Sequence, residues 1–282
     1  MYRFLMTLIA AIILLPSFFA NHSEAAATKG KILVIASSEN KLALADKSIM
    51  DVGFFLNEFA VPAQYLYNQG YEIVLATPSG KMPTMDKGSN DKSFFGGNES
   101  ARASAEAFVN NLRPISLKDA INGGLDKFAG VFVPGGHAPM TDLMQSAELG
   151  TILRHCHENN KPTGFICHGP IAALAALPNA AAYRAALVNN NAEEAMKNAT
   201  GWIYEGYSMT VFSDAEEWPG EVAQGKQMPF HVEQALQIAG GKIIVATMYG
   251  SNVVRDRELI TGQNPASDLD LAKEFLKALQ GK

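Results

Sequence analysis

The chain has 282 residues, of which 23 are basic and 28 are acidic, and its formal net charge is −5 at neutral pH. No cluster of lysine and arginine stands out, which argues against a nucleic-acid-binding protein. Apolar residues make up 48% of the chain, an ordinary share for a globular protein with a large core. A protein of this length forms about one or two domains.

The N-terminus has the pattern of a secretory signal peptide. An uninterrupted apolar run spans residues 4–15, Pro16 ends it, and small residues follow. Cleavage after Ala25 or Ala27 fits this pattern, so we predict a signal peptide over residues 1–27 and a periplasmic or secreted mature protein. The alternative is an uncleaved membrane anchor, because the apolar run is close to the length that spans a bilayer.

Strand-like and helix-like segments alternate along the rest of the chain. The predicted strands are short apolar runs at residues 31–36, 71–76, 128–133, 163–167, 207–212 and 242–246, followed by a hairpin at 252–255 and 258–261. The predicted helices lie at 53–68, 100–112, 140–159, 170–177, 229–239 and 268–280, and a polar surface excursion spans 77–98. This alternation predicts an α/β fold, with one domain over residues 28–282 and a mostly parallel sheet sandwiched by helices.

The strand that ends at Cys167 is the most informative feature of the sequence. Residues 163–170 form an apolar strand followed at once by a helix start. A thiol on such a turn lies over the positive end of a helix dipole, which lowers its pKa and makes it a nucleophile. A buried structural cysteine is the alternative interpretation.

A nucleophilic cysteine needs a base, a group that orients the base, and donors for an oxyanion. His168 is the nearest candidate base, and its backbone N–H lies at the helix start. Gly135 and Gly136 follow a neighbouring predicted strand, where glycine lets a second backbone N–H approach. His137 comes next, and we interpret it as a loop histidine in the wall of the site.

Acidic residues supply the remaining candidates. Asp214, Glu216 and Glu217 follow the predicted strand at 207–212 and can orient an imidazole. Glu58 lies in an apolar stretch after the first strand, where burial would raise the pKa of its carboxyl. A neutral carboxyl there can donate to a thiolate or carry a proton, although the pattern alone favours a glutamate on a helix surface.

Five segments together resemble the ThiJ/PfpI superfamily, whose flavodoxin-like fold is similar to that of class I glutamine amidotransferases. They are residues 133–137, 142–143, 165–170, 212–217 and 259–267. The last segment reads Leu-Ile-Thr-Gly-Gln-Asn-Pro-Ala-Ser and is rather specific to the branch of heat-shock chaperone-like proteins with glyoxalase III activity. The likeness covers nearly the whole chain after residue 30.

The resemblance implies a glutathione-independent glyoxalase that converts methylglyoxal-type 2-oxoaldehydes into 2-hydroxy acids such as lactate. The thiolate of Cys167 would add to the aldehyde carbon as a hemithioacetal. A proton would then move between adjacent carbons through an enediol, carried by Glu58 or by the base His168. Asp214 and Glu217 both fit as the acid that orients this base.

The resemblance also implies the binding groups and partners. The backbone N–H groups of Gly136 and His168 would hold the oxyanion, and Gly135 and His137 would line the substrate site. The implied substrate is a small-molecule aldehyde, and the implied assembly is a homodimer. No cofactor is implied, and no metal site is predicted.

Four alternatives stay open at this stage. A glutamine amidotransferase usually carries glycine two residues before the nucleophile, where this chain has Phe165. A cysteine peptidase of the PfpI type is the second alternative. The third is a non-enzymatic holdase chaperone that binds unfolded periplasmic proteins, and the fourth is an enzyme that repairs glycated amines.

Overall fold

The computed structural model describes residues 28–282 and is built on a seven-stranded sheet. In sheet order, the strands are β10 (Val253–Asp256), β11 (Leu259–Gly262), β7 (Thr163–Ile166), β6 (Phe128–Val133), β1 (Lys31–Ile35), β4 (Glu72–Thr77) and β5 (Ile115–Ser116). Strand β10 runs antiparallel to β11, and every other neighbouring pair is parallel. Two small sheets pair β2 (Lys41–Ala43) with β3 (Ile49–Asp51) and β8 (Ser208–Met209) with β9 (Lys242–Ile243).

Helices cover both faces of this sheet. They are α1 (Leu56–Asn68), α2 (Glu99–Asn111), α3 (Leu117–Asn122), α4 (Ala147–Glu158), α5 (Ala180–Val188), α6 (Ala192–Asn198), α7 (Asp214–Gln224), α8 (Val232–Ile238) and α9 (Asp268–Leu279). The predicted α/β fold with a mostly parallel sheet between helices is confirmed. The predicted signal peptide lies outside the described residues, and no helix within residues 28–282 is both long and apolar enough to cross a membrane.

Strand β1 explains why the sheet has a core on each face. Leu33 and Ile35 pack into the core that contains α3 and α4, whereas Ile32 and Val34 pack into the core that contains α1 and α9. Successive side chains of a strand point to opposite faces, and all four are fully buried here. A parallel strand buried on both sides is therefore a continuous apolar run in the sequence.

Helix α9 packs unusually close to the sheet through Phe275. A Cβ atom on Gly130 of β6 or on Gly164 of β7 would lie 2.9 Å from a ring carbon of Phe275. Both strands therefore need glycine beneath the ring, since any side chain would push the helix away. Phe275 also contacts Phe132 edge-to-face, with ring centroids 6.5 Å apart.

The order of the strands places a crevice at one edge of the sheet. Strand β1 lies between β4 and β6, so the chain builds outward on one side of β1 before it crosses to the other. Ligands bind outside the carboxyl ends of the strands at such a switch point. Strand β6 ends at Val133 and β7 ends at Ile166, so Gly135 and Cys167 follow at this same edge.

Several element boundaries differ from the predictions. The helix predicted at 140–159 begins only at Ala147, because the Ser146 side chain accepts the Leu149 N–H and caps it there. The helix predicted at 170–177 is a 3₁₀ helix over Gly169–Ala176. The strands predicted at 207–212 and 242–246 shrink to β8 and β9, which pair in a separate small sheet.

Candidate active site

Cys167 lies directly after β7 on a turn with a φ of +59°. Its N–H donates to the Gly262 carbonyl at 2.9 Å, and its own carbonyl accepts from the Phe212 N–H at 2.9 Å. A left-handed backbone is strained for a residue other than glycine, and it persists where the surrounding bonds hold it. The predicted strand-to-helix turn is present, and the 3₁₀ helix begins two residues after Cys167.

The two glycines after β6 let the Glu58 carboxyl and the backbone N–H groups of Gly136 and His168 approach the Cys167 sulfur. A Cβ atom on Gly135 would lie 2.7 Å from the Cβ of Cys167 and would also collide with the Glu58 carboxyl. Gly136 has a φ of +83°, a conformation that favours glycine. The backbone N–H groups of Gly136 and His168 both approach the Cys167 sulfur and favour its ionised form.

His168 forms the centre of a hydrogen-bonded row. Its Nδ1 lies 3.2 Å from the Cys167 sulfur, and its Nε2 lies 2.6 Å from Oε2 of Glu217. An ionised carboxylate only accepts hydrogen bonds, so Nε2 carries the proton and Nδ1 presents its lone pair to the thiol. The ring is buried against Phe212, with centroids 4.7 Å apart in a stacked arrangement, and against His137 at 4.1 Å.

Charge within this row is unevenly distributed. Burial lowers the pKa of His168, and His137 acts in the same direction while Glu217 opposes it. Burial alone would raise the pKa of Glu217, but its contacts with His168 and His137 hold that pKa well below the ordinary value. At neutral pH the row therefore contains a charged carboxylate and a neutral imidazole, which is the state a general base needs.

Glu58 lies in the first turn of α1 and has no exposed surface. The interpretation of Glu58 as a helix-surface residue is therefore wrong. Burial raises the pKa of its carboxyl to about 8, although the nearby Cys167 thiol and Gly135 N–H oppose this shift. Neither carboxyl oxygen has a regular hydrogen-bond partner among residues 28–282. The group is thus protonated at neutral pH, beside the sulfur.

The pKa of the Cys167 thiol shifts in the opposite direction to the sequence-based expectation. Burial and the adjacent Glu58 raise this pKa well above its usual value, and the N–H groups of Gly136 and His168 only partly offset them. Because both groups are buried, Glu58 and Cys167 resist carrying negative charge at the same time. A protonated Glu58 removes that repulsion, and the Nδ1 atom of His168, 3.2 Å from the sulfur, is available as an acceptor for the thiol proton.

The three acidic candidates after β8 have different surroundings. Asp214 places Oδ1 3.2 Å from Nδ1 of His231 and makes no hydrogen bond with His168. Glu216 is buried and accepts hydrogen bonds from five neutral groups. Of these candidates, the structure brings Glu217 to His168. Sequence analysis left this choice open because it did not single out His231.

The row opens into a cavity of about 290 Å³. Its catalytic edge contains Gly136, His137, Cys167, His168 and Glu217, and apolar walls come from Phe55, Phe94, Phe212, Met228 and Tyr249. Phe212 begins one of the segments that resemble the family, but no pattern in the sequence marks any of the five as a cavity wall. Phe94 lies in a short 3₁₀ helix over Lys92–Phe95 and Tyr249 in a turn, and neither segment has a periodic apolar pattern. This volume suits a small molecule.

Three side chains of the row also have the chemistry of metal ligands. His137, His168 and Glu217 each offer one atom, and these atoms lie within 4.8 Å of one another. Two imidazoles and a carboxylate suit a divalent transition metal. Here Glu217 instead joins both rings directly, since Oε1 lies 3.4 Å from His137 Nε2 while Oε2 contacts His168.

Comparison with curated proteins identifies relatives along nearly the whole chain. The sequence is 27% identical over 273 residues to a protein from Staphylococcus aureus named protein/nucleic acid deglycase HchA. The aligned part covers 90% of this chain and 82% of that protein. A second strain of the same organism has a relative of the same name, with the same identity and coverage.

Solved structures share the fold. Glyoxalase III from Candida albicans is 21% identical, with a TM-score of 0.62 over 88% of this chain and 97% of its own. Rapid Encystment Protein 24 kDa from Francisella tularensis is 23% identical, with a TM-score of 0.66 over 89% of this chain and 99% of its own. The profile of the DJ-1/PfpI family matches residues 49–214, more than half of the sequence. The chain therefore belongs to the DJ-1/PfpI family.

Proposed function

We propose that this protein is a cofactor-independent, cysteine-dependent enzyme that converts methylglyoxal-type 2-oxoaldehydes into 2-hydroxy acids, a glyoxalase III-like lyase. The observation that carries the proposal is that a neutral base and a protonated acid both lie beside the Cys167 sulfur. Cys167 lies 3.2 Å from a neutral imidazole oriented by Glu217. Beside the same thiol lies Glu58, a carboxyl protonated at neutral pH.

The first step forms a bond between sulfur and carbon. Nδ1 of His168 takes the thiol proton while the sulfur of Cys167 attacks the aldehyde carbon. The carbonyl oxygen gains negative charge and then a proton, which gives a hemithioacetal. The N–H groups of Gly136 and His168, which approach the sulfur, are placed to donate to that oxygen as its charge develops.

The second step moves a proton between two carbons. His168, neutral again once it has returned the thiol proton to the carbonyl oxygen, removes the hydrogen of the former aldehyde carbon as a proton, while the protonated Glu58 donates to the ketone oxygen, and an enediol forms. The protonated His168 then gives its proton to the neighbouring carbon, and Glu58 takes up the hydroxyl proton from the former aldehyde carbon. This leaves a thioester on Cys167, which water hydrolyses to a 2-hydroxy acid and the free thiol. The aldehyde carbon is oxidised and the ketone carbon is reduced within one molecule, so the net change is the addition of water.

Deglycation is a second candidate, and it is favoured by the name of the Staphylococcus aureus relatives, which align over 90% of the chain. The same sulfur can attack the carbon that joins a 2-oxoaldehyde to an amine. The carbon–nitrogen bond then breaks, the amine leaves with a proton, and the remaining hemithioacetal follows the steps above. Both activities therefore use Cys167, His168 and Glu58 in the same roles.

Export to the periplasm, a homodimer and a chaperone role in binding unfolded proteins stay predictions from the sequence. Each can be tested apart from the chemistry. N-terminal sequencing of the mature protein would locate the cleavage site, and light scattering would give the mass of the assembly. Suppression of client aggregation by Cys167→Ala protein would separate a chaperone surface from the catalytic cysteine.

The direct test of the reaction is lactate formation from methylglyoxal in buffer without glutathione. We expect purified wild-type protein to form lactate, and we expect Glu58→Gln to lose most of this activity while it remains folded. Release of free amine from a glycated lysine derivative, measured in parallel, would test deglycation. Absence of lactate from folded wild-type protein would overturn the proposal.

A further inference from the structure

Tyr249 lies between the catalytic cavity and a second cavity of about 310 Å³. Phe94, Tyr249 and Pro265 line both spaces, so they form the partition between them. On its far side the second cavity is lined by Asn57, Ser93, Asn264 and Ala266. The volume next to the catalytic sulfur is thus limited by these shared side chains.

Two hydrogen bonds fix Tyr249 in this position. Its N–H donates to Oε1 of Glu216 at 2.7 Å, and its hydroxyl donates to the Glu216 backbone carbonyl at 3.2 Å. Its φ is +58°, so the residue adopts a left-handed conformation that must be held by its surroundings. The ring is half exposed and forms part of the rim of both cavities.

Five hydrogen bonds hold the Glu216 side chain in place. Its side chain is buried and accepts from the Ser213 N–H and hydroxyl, from Gln263 and from Asn264, besides Tyr249. It joins the start of α7, the Tyr249 loop and the turn after β11. Because Glu217 follows it in the chain, the partition and the group that orients His168 share one support.

We propose that Tyr249 determines substrate size: its ring confines the catalytic cavity to 2-oxoaldehydes with a small substituent and excludes those with an aromatic one. The inference rests on the proposed function and names the substrate class within it. Removing the ring would join the two cavities and give a bulky substituent the space beyond the partition. Phe94 and Pro265 would then contact the apolar faces of an aromatic substituent on the substrate.

The first experiment compares methylglyoxal with phenylglyoxal as substrates of the wild type, Tyr249→Ala and Tyr249→Phe. In Tyr249→Ala we expect the ratio of kcat/KM for phenylglyoxal to that for methylglyoxal to rise by about tenfold or more, as contacts of this size discriminate between substrates. Tyr249→Phe keeps the ring and the shorter backbone hydrogen bond to Glu216 and loses only the hydroxyl contact, so its ratio should stay much closer to the wild type than that of Tyr249→Ala. An unchanged ratio in folded Tyr249→Ala would overturn the inference.

A second experiment works even without turnover. Cys167 in each variant is alkylated with iodoacetamide and with a bulky dansyl-bearing iodoacetamide, and the peptide that contains Cys167 is quantified by mass spectrometry. We expect the bulky reagent to gain rate relative to the small one in Tyr249→Ala but not in Tyr249→Phe. Equal relative rates in all three proteins would contradict the partition.

Together, the two experiments distinguish failure of the proposed function from failure of the proposed role of Tyr249. If no 2-oxoaldehyde is turned over but the alkylation ratio changes, the partition stands and the proposed function fails. If methylglyoxal is turned over but neither ratio changes in Tyr249→Ala, the proposed function stands and the role of Tyr249 fails.

Discussion

The chain contains two cysteine–histidine pairs at opposite ends of the same strands, and each faces a glutamate. Cys167 and His168 lie at the carboxyl end of β7 with Glu217, whereas Cys156 and His157 end α4 beside Glu258, which precedes β11. Both histidines are hydrogen-bonded to their glutamate, at 2.6 Å and 2.7 Å respectively. The residue types are the same, but only one pair is arranged for chemistry.

The backbone makes the difference. Adjacent residues in a helix point about 100° apart, so Cys156 packs into the core while His157 turns toward Glu258. At Cys167 the left-handed turn brings the sulfur to 3.2 Å from the next side chain. A cysteine beside a histidine in sequence therefore predicts little until the local conformation is known.

The environments of the two thiols differ as well. Burial raises the pKa of Cys156 to about 11, Lys161 and Thr163 oppose this shift only in part, and the side chain packs in the core. The Cys167 thiol also has a raised pKa, but it lines the cavity and has a base, two N–H donors and a protonated acid around it. Burial alone makes a cysteine inert, and at Cys167 the two N–H donors oppose this effect while His168 supplies a base.

The largest expected effect separates the two cysteines. Cys167→Ser should reduce kcat for lactate formation by at least about 10³-fold, because loss of a nucleophile removes the covalent path. Cys156→Ser should leave kcat unchanged and lower only the melting temperature, since it places a hydroxyl in the core. Steady-state kinetics and thermal melts of both variants test this prediction. A comparable loss of kcat in both would contradict the distinction between a catalytic Cys167 and a structural Cys156.

The second-largest expected effect distinguishes the two glutamates, Glu217 and Glu258. Glu217→Gln should lower kcat/KM by about 10²- to 10⁴-fold, because His168 loses the charge that fixes its tautomer. Glu258→Gln should keep kcat/KM and destabilise the fold by about 1–3 kcal/mol, since hydrogen bonds from His157 and Tyr207 are weakened. Denaturant unfolding beside kinetics tests this. A catalytic loss in Glu258→Gln with intact stability would contradict the comparison.

The pH profile follows from the protonation states around Cys167. The active form needs a neutral His168, whose pKa is lowered, and a protonated Glu58, whose pKa is about 8. We therefore expect kcat/KM to rise with pH below the ordinary histidine range and to fall as pH passes about 8. In Glu58→Gln the kcat/KM of the residual activity should no longer fall on the basic side of the profile. A basic limb that persists there would assign it to another group.

The last expected effect concerns stability rather than activity. The pKa of Glu58 is about 8 when folded and 4.5 as the ordinary value, so its stabilising contribution is complete below 4.5 and is lost as pH rises toward 8. At pH 7 this loss is about 3 kcal/mol, and Glu58→Gln should be more stable than the wild type by up to about that amount. Urea unfolding at pH 7 and pH 4 measures it, with little difference expected at pH 4.

Much of the sheet could be predicted from the sequence because its strands are buried on both faces. Residues 31–35 and 128–133 are apolar runs for that reason, and Cys167 follows such a run. The strands at 207–212 and 242–246 are shorter than predicted, because the Thr210 N–H donates to the Thr261 side chain and the Ala246 N–H to the Gln263 side chain, rather than to backbone partners.

The site was less predictable because its properties depend on distant segments. Glu58 packs against the turn at Gly135, and Asp214 lies beside His231, which is 17 residues later in the chain. Tyr249 has no periodic context, and its role depends on Glu216. No local pattern encodes such tertiary contacts, whereas local patterns and the resemblance to a family together supplied the candidate residues without their geometry.

The most direct test of the central claim is labelling of both cysteines in one wild-type sample. Iodoacetamide is added at neutral pH with and without methylglyoxal, and the peptides that contain Cys156 and Cys167 are quantified over time by mass spectrometry. We predict that Cys167 is labelled first and that methylglyoxal slows its labelling, while Cys156 stays unlabelled until the protein unfolds. Labelling of Cys156 as fast as Cys167, or labelling of Cys167 that methylglyoxal does not slow, would contradict the account.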